Sequence, residues 1–381
     1  MTLLQKSLIH WSDASSHLLW NPATPPTHLR ELQQTISAWS GHIWLATSGS
    51  LRLKWVGLTK KALLASAEAV NQHLQSTSQD NWLLPLPTFH VGGLGVEARA
   101  YLSGASLTYF PVPQWDPLLF HSLCEEKKIS LSSLVPAQLF DLVFYNLLAP
   151  SSLRAVLVGG GTLPPFLYQK ACLLGWPVLP TYGLTECGSQ VATAPLYSWK
   201  EKKFFSWSPL PHLLVRVENG LLCFQGTSLF TGYLTQQGQK FSFWDPKQQG
   251  WFQSEDRGEI KEGKLLLYGR SEDFWKIGGE NICLSALQEI LDQIRIEMDC
   301  TADMALVPIP DPRLGHRIAL AFTPLESTLL QELIQGFAKK VPPFARIRNL
   351  YELPSLPRSP LKKLYVKTLQ QQIQALSLNE E

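Results

Sequence analysis

The sequence predicts an α/β domain on a largely parallel sheet, followed by a β-rich segment and a small α+β domain. Three observations carry this. Short apolar runs alternate with helical stretches as far as about residue 204. The texture then turns to hairpin-like pairs, and after Arg270 strand and helix patterns mix. Strand and helix in alternation is the pattern of a parallel sheet covered by helices. A chain of 381 residues, 45% hydrophobic and 17% charged, has material for two or three domains with ample core.

The elements follow in order. "GHIWLAT" reads as a strand, "KKALLASAEAVNQHLQ" as a helix, "NWLLPLP" as a strand, "VEARAYLSGA" as a helix and "SLTYFP" as a strand. "ISLSSLVPAQLFDLVFYNLL" holds a strand and then a helix. "LRAVLVGGG", "PPFLYQKACLLG" and "PVLPTYG" continue as strand, helix, strand. "LLVRVENGLLCFQG" carries Asn219-Gly220 between two apolar runs, a strong hairpin signal. "GEIKEGKLLLYGR" repeats the form with Glu262-Gly263. Beyond it come helix "LSALQEILDQI", strands "DMALVPIP" and "RIALAFTP", helix "LLQELIQGFAKK" and a lysine-rich tail. The expected domains are 1–268, α/β to about 204 and β-rich over 205–268, and 269–381, with the boundary in the charged, glycine-containing turn at 268–275.

Bulk properties narrow the function. A net charge of +2 does not attract nucleic acid, and no run of about 18 apolar residues is present to span a bilayer. Asp13 and His10 interrupt the N-terminal stretch before a signal-peptide core can form. The six cysteines show no C-x-x-C pair and the nine histidines no H-x-x-x-H pair, which fits reduced thiols in a cytoplasmic protein better than a disulfide framework or a zinc site.

Five stretches offer chemistry, each with a plainer alternative. "TSGS", Thr47, Ser48, Gly49 and Ser50, has the small hydroxylated residues of a phosphate-gripping loop, but Leu51 and Arg52 follow where a second glycine is expected: an eroded nucleotide loop, or an ordinary loop that resembles one for four residues. "VLVGGGTLPP" places Gly159, Gly160 and Gly161 after an apolar strand, where a planar ligand can approach, or where the chain simply turns into a helix. "PTYGLTECGSQ" gathers a ring, hydroxyls and a carboxylate in Tyr182, Thr185, Glu186 and Ser189: a nucleotide site with Mg²⁺, or a polar loop. Asp256 and Arg270 flank the second hairpin, as a pair for a ribose or as a solvated charge cluster. "LPRSPLKKLYVK" holds lysines in a proline-bounded turn, as a phosphate partner or as a basic tail.

Together, the order and spacing of these stretches resemble the adenylate-forming superfamily of acyl-CoA ligases, luciferase-like enzymes and adenylation domains. Its Y-G-x-T-E motif is matched by Tyr182, Gly183, Leu184, Thr185 and Glu186. Asp256 matches the aspartate of its G-D motif, with Glu255 in place of glycine. Its G-R-x-[DE]-D hinge is matched from Gly269 to Asp273, followed by "IGGENI" with Gly278 and Gly279. Its P-R-x-x-x-G-K pattern is met by Pro357, Arg358 and Lys363, with Lys362 in place of glycine. The likeness runs from about residue 43 to about 368. Within the superfamily it is most similar to the o-succinylbenzoate–CoA ligases of menaquinone biosynthesis, through "HVGGLG" with Arg99 nine residues after His90, and through Ser189-Gln190. Arg99 lies seven residues after Gly92, on the same face of a helix, where it can hold a second carboxylate through two parallel hydrogen bonds.

The resemblance implies an adenylate-forming fold, N-terminally shortened because the loop begins already at residue 47. It implies an AMP-forming acid–thiol ligase that uses ATP, Mg²⁺ and coenzyme A on an aromatic dicarboxylate, with no nucleic acid and no membrane span; a homodimer is the assembly to test. The roles it implies are Lys363 on the carboxylate and α-phosphate, Thr185 on a phosphate and Glu186 on Mg²⁺. Tyr182 and Gly183 with Gly159 to Gly161 would line the adenine; Asp256 and Arg270 would hold the ribose, and Thr47 to Ser50 with Lys54 the phosphates. Glu272 would be the hinge, "KIGGENI" would line the thiol channel, His90 would gate it, and Arg99, Ser189 and Gln190 would face the acid. The alternatives are a ligase for another aromatic or aliphatic acid, or a catalytically weak or silent relative that acts by binding.

Overall fold

The computed structural model describes residues 9–22, 26, 28–47, 54–112, 114–201, 207–238, 240–270, 273–277, 279–359 and 364–378. The chain divides into two units, residues 1–267 and 268–381.

In the first unit, the strand–helix alternation becomes a seven-stranded sheet. Its strands are β4 (Asn81–Leu84), β5 (Ser106–Tyr109), β6 (Leu131–Leu134), β7 (Ala155–Val158), β8 (Val178–Leu184), β9 (Ser189–Thr193) and β10 (Ser208–Pro209), in the order β10-β9-β8-β7-β6-β4-β5. The five from β8 to β5 are parallel, and β9 and β10 run antiparallel at the other edge. Strands β4, β6 and β7 are buried at nearly every position because both faces are covered. Parallel pairing also brings the ends of β4, β6, β7 and β8 to one edge, where α/β folds bind ligands.

A second sheet combines β1 (His17–Leu19), β2 (His42–Thr47) and β3 (Lys54–Thr59) with β13 (Gly232–Gln237) and β14 (Lys240–Trp244), in that order. A third holds β11 (Leu213–Glu218), β12 (Leu221–Gly226), β15 (Phe252–Lys261) and β16 (Lys264–Arg270). The β-rich segment expected over 205–268 is therefore shared among three sheets: β10 extends the first, β13 and β14 complete the second, and the rest form the third. Both hairpin turns form as their dipeptides demand, with φ of 52° and 77° at Asn219 and Gly220 and of 50° and 72° at Glu262 and Gly263.

Helices α1 (Leu29–Ile36), α2 (Lys60–Leu74), α3 (Val91–Ser103), α4 (Pro117–Glu126), α5 (Pro136–Phe144) and α6 (Pro165–Leu173) complete the unit. Thr59 caps α2 by accepting from the Ala62 amide, and Asp116 caps α4 ahead of a proline at its first position. The main core lies where the three sheets meet α2 and α3: Ile43, Leu45, Val56, Leu94, Val191, Phe224 and Phe252 are all buried there. Alternation along β2 turns Trp44 to the opposite face, where it packs with Trp55 and Leu234 against Leu32 and Ile36 of α1. Each such side chain contributes about 2 kcal/mol on burial.

The second unit has β17 (Phe274–Ile277) and β18 (Glu280–Cys283) as a hairpin, a three-stranded sheet of β19 (Met304–Asp311), β20 (Gly315–Phe322) and β21 (Ile347–Glu352), and helices α7 (Leu284–Glu297), α8 (Ser327–Lys340) and α9 (Val366–Leu378). Along β19, Met304 and Leu306 face a core with Leu291 of α7 and Leu333 and Phe337 of α8. Ala305 and Val307 face the other way, toward Leu369 and Ile373 of α9. The lysine-rich end is thus no loose tail. It leads into a helix that covers one face of the sheet, because Leu369 and Ile373 stand four apart on one side.

Candidate active site

The edge formed by the ends of the parallel strands carries most of the residues singled out above. After β4 the chain reaches His90, whose carbonyl accepts from Leu94 as α3 begins. Gly159, Gly160 and Gly161 follow β7, with Gly160 and Gly161 exposed. Tyr182 and Gly183 end β8, and Thr185 and Glu186 follow in a single 3₁₀ turn, half-buried at the rim. Gly183 is required by close approach: a Cβ there would meet the Ser189 carbonyl oxygen at 1.7 Å.

Three clusters form on this edge. In the first, the Tyr182 hydroxyl donates to Asp256 Oδ2 at 2.6 Å, and both side chains are buried, at 7% and 5% exposure. The Tyr182 ring lies 6.1 Å from that of Trp207 and 6.3 Å from that of Phe224. Its edge, through the hydroxyl, is thus tied to β15, and a ligand would meet the backbone at Gly183 rather than an open ring face.

The second cluster surrounds Arg99. This guanidinium on α3 is 1% exposed. It donates to Ser133 Oγ at 3.5 Å and to Ser189 Oγ at 3.4 Å, both long bonds, and lies over the Trp82 ring at 5.9 Å. Its Nε has no partner, and among the described residues no carboxylate pairs with it. Burial alone lowers its pKa to about 9, so it stays charged at neutral pH. Gly95 makes the space, since a Cβ there would stand 3.0 Å from the guanidinium. Ser189 reaches it from a backbone with φ of 103°, a conformation that a non-glycine residue adopts at a cost of about 1–3 kcal/mol. Gln190 is turned away, accepting from Thr193 Oγ1 at 2.9 Å.

The third cluster joins Glu186 to Tyr233 and Lys54. The Tyr233 hydroxyl donates to Glu186 Oε1 at 2.9 Å, and Lys54 Nζ lies 5.4 Å from the centre of the same ring. Among the described residues no three His, Cys, Asp or Glu side chains converge as a metal cage. One half-buried carboxylate suits Mg²⁺, which takes one or two carboxylates and completes its shell with water and phosphate.

His90 stands at the start of α3, and Arg270, Gly279 and Arg358 lie in the second unit. Burial holds His90 to a pKa of about 4, its ring is 4.8 Å from Phe89, and its Nε2 has no partner. Arg270 belongs to the second unit, where its amide donates to Asp273. Gly279 is exposed at the turn between β17 and β18, with φ of 90°. Arg358 pairs with both oxygens of Asp303 at 2.8 Å. Ser48, Gly49, Ser50, Glu272, Gly278 and Lys363, with the Thr47 side chain, lie outside the described residues. Sequence reasoning missed Tyr233, Ser133, Trp82 and Gly95. Gly95 stood within the quoted "HVGGLG", whereas Tyr233 read only as part of a strand.

The family model described as AMP-binding enzyme matches residues 33–234, just over half of the chain. The chain belongs to the AMP-binding enzyme family. Among curated AMP-binding relatives, it is 30% identical to a 2-succinylbenzoate–CoA ligase of Staphylococcus epidermidis over 83% of this chain and 66% of the relative. It is 32% identical to the 2-succinylbenzoate–CoA ligase of Escherichia coli over 76% of this chain and 60% of the relative. The chain thus spans less than two thirds of the length of these two relatives. Among solved AMP-binding structures, it resembles a variant of E. coli MenE with bound OSB-AMS at 26% identity and a TM-score of 0.67, covering 87% of this chain and 68% of that one. For o-succinylbenzoate CoA synthetase from Bacillus subtilis in complex with the acyl-adenylate intermediate OSB-AMP the figures are 23%, 0.73, 86% and 68%, a likeness of fold. Among the described residues no helix is long and apolar enough to cross a membrane.

Proposed function

We propose that this chain is an ATP-dependent, AMP-forming acid–CoA ligase whose acid is o-succinylbenzoate, acting in menaquinone biosynthesis in the cytoplasm. The observation that carries the choice of acid is Arg99. A guanidinium buried without a carboxylate costs several kcal/mol. A dicarboxylate can offset that cost with its second carboxylate while the first reacts, whereas a fatty acid brings nothing to this cation. The names of the relatives support the same acid.

In the reaction, the acid's carboxylate attacks the α-phosphorus of ATP; the bond to the bridging oxygen breaks and pyrophosphate leaves with its electron pair. The thiol of coenzyme A then attacks the carbonyl of the acyl-adenylate, AMP departs, and the thiol proton passes to solvent. Catalysis here is positioning and charge stabilisation. Lys363 draws the carboxylate and α-phosphate together. Thr185, Lys54 and the segment from Thr47 to Ser50 hold phosphate oxygens. Glu186 would hold Mg²⁺, which when bound would supply positive charge for the departing pyrophosphate. Gly159 to Gly161 and Gly183 lie along the adenine beside Tyr182, Asp256 takes the ribose, and Ser189 completes the acid pocket with Arg99. Glu272 serves as the hinge residue, and Gly278 and Gly279 belong to the thiol path. A His90 neutral at pH 7 suits an aromatic gate on that path, not an acid or base.

The test is pyrophosphate release by the purified chain with ATP and Mg²⁺, given o-succinylbenzoate, benzoate or a medium-chain fatty acid, with Lys363→Ala as control. Release with o-succinylbenzoate alone, lost in the variant, is expected. Equal release with benzoate would remove Arg99 from the acid pocket, and no release from folded protein would overturn the ligase.

A further inference from the structure

We propose that Tyr233 is a positioning residue for the metal: its hydroxyl sets the plane of the Glu186 carboxylate, and its ring ties that carboxylate to the end of the phosphate segment. This rests on reading Glu186 as the Mg²⁺ ligand.

Glu186 is held twice by one short segment. Its carbonyl accepts from the Phe230 amide at 2.8 Å and its Oε1 accepts from the Tyr233 hydroxyl at 2.9 Å. That segment is itself fixed. Lys247 Nζ donates to the carbonyls of Phe230 and Thr231, both at 2.9 Å, and the Thr231 amide donates to the Gly57 carbonyl of β3 at 2.7 Å. The Tyr233 ring is 7% exposed, with Phe230 at 4.8 Å and Trp244 at 5.5 Å, so the hydroxyl has one place to be. In register, Tyr233 stands opposite Val56 and Thr235 opposite Lys54, which puts the first residue of β3 beside the ring.

A carboxylate on a two-carbon stem turns freely, whereas Mg²⁺ demands near-ideal octahedral geometry. A donor on one oxygen removes that rotation and fixes the direction of the other. Groups that orient a metal ligand in this way are worth about 10–100-fold in metal affinity or activity. The same ring lies 5.4 Å from Lys54 Nζ, so one side chain stands beside both the Glu186 carboxylate and the first residue of β3.

The experiment titrates Mn²⁺, as a paramagnetic substitute for Mg²⁺, into the full chain saturated with α,β-methylene-ATP and reads bound metal by electron paramagnetic resonance. Tyr233→Phe keeps the ring and removes the hydroxyl. It is expected to weaken Mn²⁺ binding about 10-fold, with nucleotide affinity in chelator unchanged. In a Glu186→Gln background the same change is expected to add nothing. Wild-type Mn²⁺ affinity in Tyr233→Phe would overturn the inference, and so would an equal loss of metal-free nucleotide affinity, which would mark the ring as packing only. A wild-type chain that binds nucleotide but no Mn²⁺ would overturn the reading of Glu186 and this inference with it.

Discussion

At the scale of single residues, the charge on Arg99 decides most. A buried cation without a carboxylate is a debt to stability unless it serves a ligand, so function and folding make opposite predictions for its removal. Arg99→Met keeps the stem and deletes the charge. It is expected to raise the unfolding midpoint, by roughly 1 kcal/mol of added stability, while use of o-succinylbenzoate falls at least 100-fold. A variant that loses stability and activity together would make Arg99 a structural residue. Residues of this kind were legible in sequence only through motif: Arg99 by its distance from His90, and Tyr182 and Glu186 by their neighbours. Spacing could not tell that the Tyr182 hydroxyl is spent on Asp256, nor that Glu186 has Tyr233 as a partner 47 positions away, because both bonds need the three sheets to be assembled first.

At the scale of elements, the edge of the parallel sheet opposite the site has its own fastening. Asp80, ahead of β4, accepts from Arg154 at 2.8 and 2.7 Å, from Ser130 Oγ at 2.7 Å and from the Thr77 amide at 2.9 Å. It thereby joins the starts of β4, β6 and β7. Burial alone would raise its pKa, but the bonds from Arg154, Thr77 and Ser130 outweigh that and hold it at about 2. A carboxyl depressed in the folded state contributes stability that is fully present above its unfolded pKa of about 3.9 and is lost as pH falls toward 2. Asp80→Asn should therefore be less stable than wild type at pH 7 and converge with it near pH 2, by denaturant titration at each pH. A gap that stays constant across that range would refute the ionic account. Elements themselves were the most legible level. Helix α2, the apolar strands and both hairpins announce themselves by period and by Asn219-Gly220, since those signals are local. The short β1 and α1, and α9 behind the lysines, were missed because their burial depends on partners far along the chain.

At the scale of the whole molecule, the order of strands was the least legible feature. Nothing in the sequence of β13 or β14 says that they return to β3, which ends at Thr59, while their neighbours β12 and β15 build a different sheet. The alternating pattern settles which face of a strand is buried, and leaves open which strand lies beside it. This return has a consequence for how the chain is made. On the ribosome, β3 emerges early and keeps one edge without a neighbour until β13, which ends at Gln237, has cleared the exit. An unpaired apolar edge invites wrong pairing and chaperone capture in nascent chains. In cell-free translation of stalled chains, protease resistance of the first unit should appear only once residues through the end of β13 are outside the ribosome. Resistance in chains halted near residue 204 would mean that the early strands protect one another without their late-arriving partner.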